Sequence, residues 1–311
     1  MKIQVVLHCL PREIDEVYRI VDQLQRSSYF LEPDQEVILD FTLNVSDYMV
    51  DWKKSKLPKE FFIEKFKYIE QISNFENDFK ITEELSGCNS VRRNAIRSDN
   101  GATHYLWLDT DLFFSQLNLQ SMFQAISAIK DEYYIVSSEL LQGWDTSWDT
   151  ISNPVTRNTK RICNEEGQAI PGKCLWGTTN PYDILLENNT EKEISIRKIE
   201  SIKFGGGWFN LFNDKLLKLI DIPDSFGVYG LDDTFVMYGS MMMKQLGYNL
   251  NQYVLENMTV LENRWYRNYP YDKFLVHNSN KDILRKNAEK NWPAELEKLQ
   301  NKLQNRLQKV L

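Results

Sequence analysis

Apolar positions along the chain change period in a regular order. Ile3 to Cys9 is an almost unbroken apolar run with β-branched members, the pattern of a strand buried on both faces. After Pro11, the residues Ile14, Val17, Ile20, Val21 and Leu24 fall at helical spacing and predict a helix over Glu13 to Arg26. Glu36 to Leu43 reads as a second strand, Lys59 to Ile72 as an aromatic-rich helix, and Ser90 to Ser98 as a further helix. Thr103 to Leu108 is a hydrophobic strand that stops abruptly at Asp109-Thr110-Asp111; a helix over Leu117 to Ile129 and a strand over Tyr133 to Ser138 follow. This alternation predicts an α/β domain with a mainly parallel sheet.

From Gly143 to Lys203 the pattern is lost in a Trp- and Asn-rich stretch with Pro154, Pro171 and Pro181. It is expected to be a long excursion with short strands, where substrate loops usually lie. Strong patterning returns from Phe204 to Tyr238. Beyond Trp292, the residues Leu296, Leu299, Leu303, Leu307 and Val310 make one helical stripe. The reading is one domain over residues 1–290 and an amphipathic helix over 291–311. That helix is expected to dock on the domain, with oligomerisation through the stripe as the alternative.

Composition narrows the class. Of 311 residues, 42% are hydrophobic, 26% charged and 13% aromatic, which excludes a disordered chain. No apolar run approaches the roughly 18–20 residues of a bilayer span, so no membrane anchor is expected. The N-terminal run reads as a strand and lacks the cleavage pattern of a signal peptide. Cys9, Cys88, Cys163 and Cys174 form no Cys-x-x-Cys pair and suit a reducing, cytoplasmic setting. The net charge is −7, yet Arg264 to Leu311 holds eleven basic against five acidic residues, so the preceding chain carries −13. An acidic bulk argues against non-specific coating of nucleic acid. The basic C-terminal quarter suits either a phosphate-bearing ligand or a solvated helix face.

Three segments carry candidate chemistry. In Tyr105 to Phe114, a strand ending in Asp-x-Asp sets Asp109 and Asp111 at the carboxyl edge of the sheet, where open α/β folds bind ligands. Residues two apart share a side of an extended chain, so both carboxylates can address one hard cation that neutralises a diphosphate. The plainer alternative is a turn whose Asp caps the next helix. Upstream, Arg92 or Arg93 in Gly87 to Ala95 can face a nucleotide base or phosphate. In the third segment, Gly205, Gly206 and Gly207 precede Trp208, and Gly230-Leu231-Asp232-Asp233 opens a helix. Glycines permit close approach of a bulky ligand, and Trp208 offers a platform for a sugar ring. Of the paired acids, one can fix an acceptor hydroxyl while the other takes its proton; alternatively they cap the helix.

Together, Asp-x-Asp after a strand, Gly-Gly-Trp-Phe-x-x-Phe and Gly-x-Asp-Asp resemble the GT-A glycosyltransferases, with similarity to the inverting branch of family 2 enzymes, chondroitin polymerase and β-1,4-galactosyltransferases. The motifs cover roughly residues 87–114 and 204–240. The resemblance implies a Rossmann-like GT-A fold and a nucleotide-diphospho-sugar donor, with UDP favoured, together with Mn²⁺ or Mg²⁺ and a glycan acceptor. It implies Asp111 as metal ligand, Asp109 on metal or ribose, Asp233 as base, and Asp232 where the family usually has Glu. It also implies a late histidine on the metal, and His277 is the histidine that follows the acidic motifs. The basic C-terminal quarter keeps open a phage-type enzyme acting on hydroxymethylated DNA bases. A nucleotidyltransferase needs a Gly-rich phosphate loop that His8 to Arg12 does not provide. An inactive nucleotide-sugar-binding protein would tolerate loss of Asp233, which is present.

Overall fold

Val5, Val6 and Leu7 have almost no solvent exposure, as an unbroken apolar run requires, and they form the middle of strand β1 (Lys2–Cys9). A computed structural model describes residues 1–141, 160–163, 169–175, 195–262, 269–278 and 281–308. Helix α1 (Ile14–Ser28) buries Ile14, Val17, Ile20, Val21 and Leu24, the same five positions that the spacing singles out. Strand β2 (Glu36–Asn44), helix α2 (Lys59–Ile72), helix α3 (Cys88–Arg97), strand β4 (His104–Leu108), helix α4 (Leu117–Ala128) and strand β6 (Tyr133–Leu141) match the expected elements within a few residues.

Strand β3 (Glu76–Thr82) carries Glu76, Asp78 and Lys80 at an edge, where water meets its outward residues and the apolar signal fades. The described chain adds β5 (Leu112–Phe114), β7 (Lys160–Cys163), β8 (Ala169–Leu175), β9 (Ser195–Ile199), β10 (Trp208–Asn213), helices α5 (Asp214–Ile220) and α6 (Asp232–Gln245), β11 (Leu250–Glu262) and helix α7 (Lys281–Gln308). Strands β7 and β8 form a separate hairpin.

The main sheet runs β3-β2-β1-β4-β10-β6-β11-β5, with β9 beside the first half of β11. Its β3-β2-β1-β4 half is parallel. Strand β10 then enters antiparallel to both β4 and β6, so the sheet is mixed where a mainly parallel one was expected. Helix α7 begins at Lys281, ahead of the boundary read at 291. Its Ala288, Leu299 and Leu303 are buried, and Trp292, Leu296 and Leu307 pack against the core, so the stripe docks on the domain. Trp292 stacks on Phe226 and meets Phe235 and Tyr238 edge-on, which ties the helix to α6 and the turn before it. Most of the Gly143 to Lys203 excursion, Val310, Arg264 and Arg267 lie outside the described residues. No helix among the described residues is long and apolar enough to cross a membrane.

Candidate functional site

Two ends of the parallel half, the carboxyl ends of β1 and β4, meet the starts of α3 and α6. The connection is Arg92. It lies on the inward face of α3 with Asn89 and Ile96, and 5% of its surface is exposed. From there Nη1 donates to Asp232 Oδ2 at 2.8 Å, and Nη2 donates to Asp109 Oδ1 at 3.2 Å. Its guanidinium carbon stands 4.7 Å from the ring centre of Trp107, a cation–π contact inside the sheet edge. Burial would weaken this guanidinium's hold on its proton, but the charges of Asp232 and then Asp109 overcome it, so Arg92 stays charged.

The adjacent Arg93 turns elsewhere, because successive residues on a helix point about 100° apart. Its Nη1 donates to the carbonyls of Pro223 and Gly227 at 3.0 and 3.2 Å, and its Nε meets Asp224 at 3.0 Å. Arg93 thus fastens the loop leading to α6, and Arg92 is the arginine at the paired carboxylates.

Asp109 and Asp111 sit in the turn between β4 and β5. The Asp109 side chain is 40% exposed, whereas Asp111 is buried. The glycine turn closes on this pair. Gly206 adopts φ +51°, and a Cβ on Gly207 would lie 2.4 Å from Asp109 Oδ1 and 2.6 Å from Arg92 Nη2. A side chain at 207 therefore cannot coexist with this arrangement unless Asp109 and Arg92 move. Asn210 holds the turn from beneath, donating from Nδ2 to the carbonyls of Gly205 and Gly206 while its Oδ1 accepts from Ser137. The residue before Asn210, Phe209, takes φ +61° at a bulge in the β10–β4 pairing. Trp208 packs edge-on against Phe204 and exposes 8% of its surface, so little of the ring is left to meet a sugar.

Leu231, with φ +65°, turns the chain into α6, whose first two residues are Asp232 and Asp233. Asp232 is buried against Arg92. Asp233 is half-buried, and its Oδ1 accepts from the amide of Thr234 at 2.6 Å. Burial and then the charge of Asp232 push its carboxyl up to about 6, with Arg92 opposing. The two acids thus differ: Asp232 is tied to a cation, and Asp233 holds a proton affinity close to that of a working base.

Several groups join the cluster without any motif to announce them. His8, at the end of β1, has its Nδ1 3.9 Å from the sulfur of Cys88, and its Nε2 is buried without a hydrogen-bond partner. Burial, then the charges of Lys281 and Arg92, lower it to about 3, so the ring is neutral. Burial also pushes the Cys88 thiol up to about 12 and raises the Tyr229 phenol, leaving both neutral. Lys281, the first residue of α7, stands 5.3 Å from the Tyr229 ring centre. It also lines a cleft of about 170 Å³ beyond the end of β1, with Leu10, Arg12, Met49, His277 and Asn278. His277 lies there with Nε2 2.9 Å from Asp272 Oδ1, bridged through its backbone to Val50. Among the described residues, no three His, Cys, Asp or Glu side chains are grouped closely enough to hold a metal ion by themselves. Two carboxylates nonetheless suit a hard cation that takes its other ligands from phosphate and water, and Asp109 and Asp111 fit that description.

No protein-family model matches the sequence, and no curated protein matches it. Among solved structures, the chain is similar to S. aureus TarS 1-349 in complex with UDP-GlcNAc, with a TM-score of 0.44 and 13% identity, covering 91% of this chain and 63% of that one. It is also similar to GalNAc-T7 with UDP, GalNAc and Mn²⁺, with a TM-score of 0.46 and 10% identity, covering 84% of this chain and 44% of that one. A third similarity, with a TM-score of 0.41 and 13% identity, is to a mycobacterial protein and covers 87% of this chain and 69% of that one.

Proposed function

We propose that the chain is a GT-A-type glycosyltransferase that moves a sugar from a nucleoside-diphosphate sugar, UDP-linked, to a glycan hydroxyl with inversion. The observation that carries this reading is a division of labour among acids joined by one arginine. Asp109 and Asp232 share Arg92, while Asp233 stands beside them with its proton affinity raised to about 6.

In this reading, Asp109 and Asp111 would hold Mn²⁺ or Mg²⁺, which when bound neutralises the diphosphate and eases its departure. His277 is left out of that set because no three His, Cys, Asp or Glu side chains are grouped among the described residues. Arg92 orients Asp109 and Asp232 together. Asp233 accepts the proton of the acceptor hydroxyl as that oxygen attacks the anomeric carbon in line. Asp232, with one oxygen on Arg92, raises the proton affinity of Asp233, and its second oxygen can steady the acceptor. The Gly206–Gly207 turn lets the donor approach Asp109 closely. The cleft lined by Arg12, Lys281 and Asp282 has one more basic than acidic side chain at the end of β1, which offers the nucleotide positive charge.

Calorimetry of UDP and GDP, with Mn²⁺ and with chelator, tests the donor assignment. UDP affinity should depend on the metal. Equal affinity in chelator removes the Asp109–Asp111 assignment, and tighter GDP binding replaces the nucleotide.

A further inference from the structure

Strand β5 lies at the end of the sheet, paired with β11 on one side. The backbone groups on its other side need partners that no strand among the described residues provides, and side chains of α1 take that place. Arg19 Nη1 donates to the Leu112 carbonyl at 2.6 Å, and Nη2 donates to the Thr110 carbonyl at 3.1 Å. Gln23 Nε2 donates to the Phe114 carbonyl at 3.1 Å. The spacings are compatible. Carbonyls two residues apart on an extended chain repeat every ~6.7 Å, and helix residues four apart repeat every ~6 Å.

Arg19 is itself held. Glu16 Oε2 accepts from its Nε at 2.8 Å and its Nη2 at 2.6 Å, and Gln23 Oε1 accepts from its Nη1 at 2.9 Å. With the two carbonyls, these bonds engage all five N–H groups of the guanidinium. Its flat face lies 3.7 Å from the ring centre of Phe113. A lysine, with one nitrogen, cannot reproduce that fork.

Thr110 is the residue between the two candidate metal-binding carboxylates. A peptide plane moves as a unit, so fixing the Thr110 carbonyl fixes the plane that carries the Asp111 nitrogen. Fixing the Leu112 carbonyl restrains the plane just beyond. We propose that Arg19, oriented by Glu16, is a positioning residue that sets Asp109 and Asp111 for the cation and diphosphate, an assignment that rests on the function proposed above. It touches neither ligand and acts through two backbone carbonyls, and its side chain is 21% exposed, so its loss leaves the core intact.

The test is Mn²⁺-dependent UDP binding, measured by calorimetry on the full chain beside thermal unfolding. Arg19→Ala should weaken that binding by roughly 10-fold or more, the scale at which groups supporting metal ligands act. Arg19→Lys should fall between Arg19→Ala and the wild type. Gln23→Ala frees the Phe114 carbonyl and one N–H of Arg19 but leaves both Arg19 bonds to the Thr110 and Leu112 carbonyls, so it should lower thermal stability with a smaller loss of UDP affinity than Arg19→Ala. If Arg19→Ala does not fold, Arg19→Lys carries the test with a loss of about 3-fold or more. Wild-type metal dependence that survives intact in the Arg19 variants overturns the positioning role alone. So does a Gln23→Ala loss equal to that of Arg19→Ala, which reports a loosened edge strand. A wild type that binds UDP equally in chelator overturns the functional reading and this assignment together.

Discussion

Replacing Asp233 with Asn changes one atom and should separate chemistry from folding. Asn retains an oxygen for the Thr234 amide, which bonds to Asp233 Oδ1 at 2.6 Å, but it cannot take a proton at neutral pH. Loss of a general base costs on the order of 10²–10⁴ in rate, or ~2.7–5.4 kcal/mol of barrier at 1.36 kcal/mol per factor of ten. Because the carboxyl is pushed up to about 6, wild-type transfer should rise with pH through that value and level above it. The same shift fixes the sign of the stability effect. A folded-state proton affinity above the unfolded one favours folding below about pH 4, and that advantage is lost as pH rises through about 6. A shift of roughly two pH units corresponds to at most ~3 kcal/mol, and about half of that is expected for a side chain that solvent partly reaches. Asp233→Asn should therefore be inactive yet more stable than wild type at pH 8, with the difference shrinking at pH 4. Urea unfolding at both pH values, beside transfer assays and UDP calorimetry, measures all three quantities. An Asn variant that transfers within a few-fold of wild type, or is less stable at pH 8, makes Gly230 to Thr234 an ordinary helix start. The base is then sought in the Gly143 to Lys203 stretch.

Asp111→Ala should bring UDP affinity in Mn²⁺ down to the value measured for wild type in chelator, by calorimetry. Arg92→Gln leaves Asp109 and Asp232 without their shared cation, so chemical unfolding should show a loss of roughly 3–5 kcal/mol. Because Arg92 lowers the proton affinity of Asp233, the acid limb of any residual activity should move to higher pH. Gly207→Ala forces Asp109 and the buried Arg92 aside, so donor turnover should fall roughly 10–100-fold and the melting temperature should drop as well.

The sequence revealed elements whose signal is local. The apolar run of β1, the five-position stripe of α1 and the strand before Asp109 each bury residues that are close in the chain. The antiparallel entry of β10 was not legible, because strand direction depends on where a chain returns, and nothing in Trp208 to Asn213 encodes that. The same limit governed the site. Asp109, Asp111, Asp232 and Asp233 stood out as motifs. The choice between Arg92 and Arg93 depended on which side of α3 faces Asp232, a matter of tertiary contact. His8, Cys88 and Tyr229 come from three separate segments, and each looks ordinary by itself. Trp208 and His277 illustrate the converse. Their residue types suited a sugar platform and a metal ligand, yet Trp208 is largely buried against Phe204, and no three His, Cys, Asp or Glu side chains are grouped among the described residues.

In the proposed function, this site breaks the bond between a sugar and a nucleoside diphosphate. A panel of nucleotide sugars, incubated with the protein and Mn²⁺ without acceptor and scored for released nucleoside diphosphate, tests it most directly. A UDP-sugar should be hydrolysed slowly, and that hydrolysis should disappear with chelator and in Asp111→Ala. Release that is the same in chelator, or no release from any donor in the panel, contradicts it.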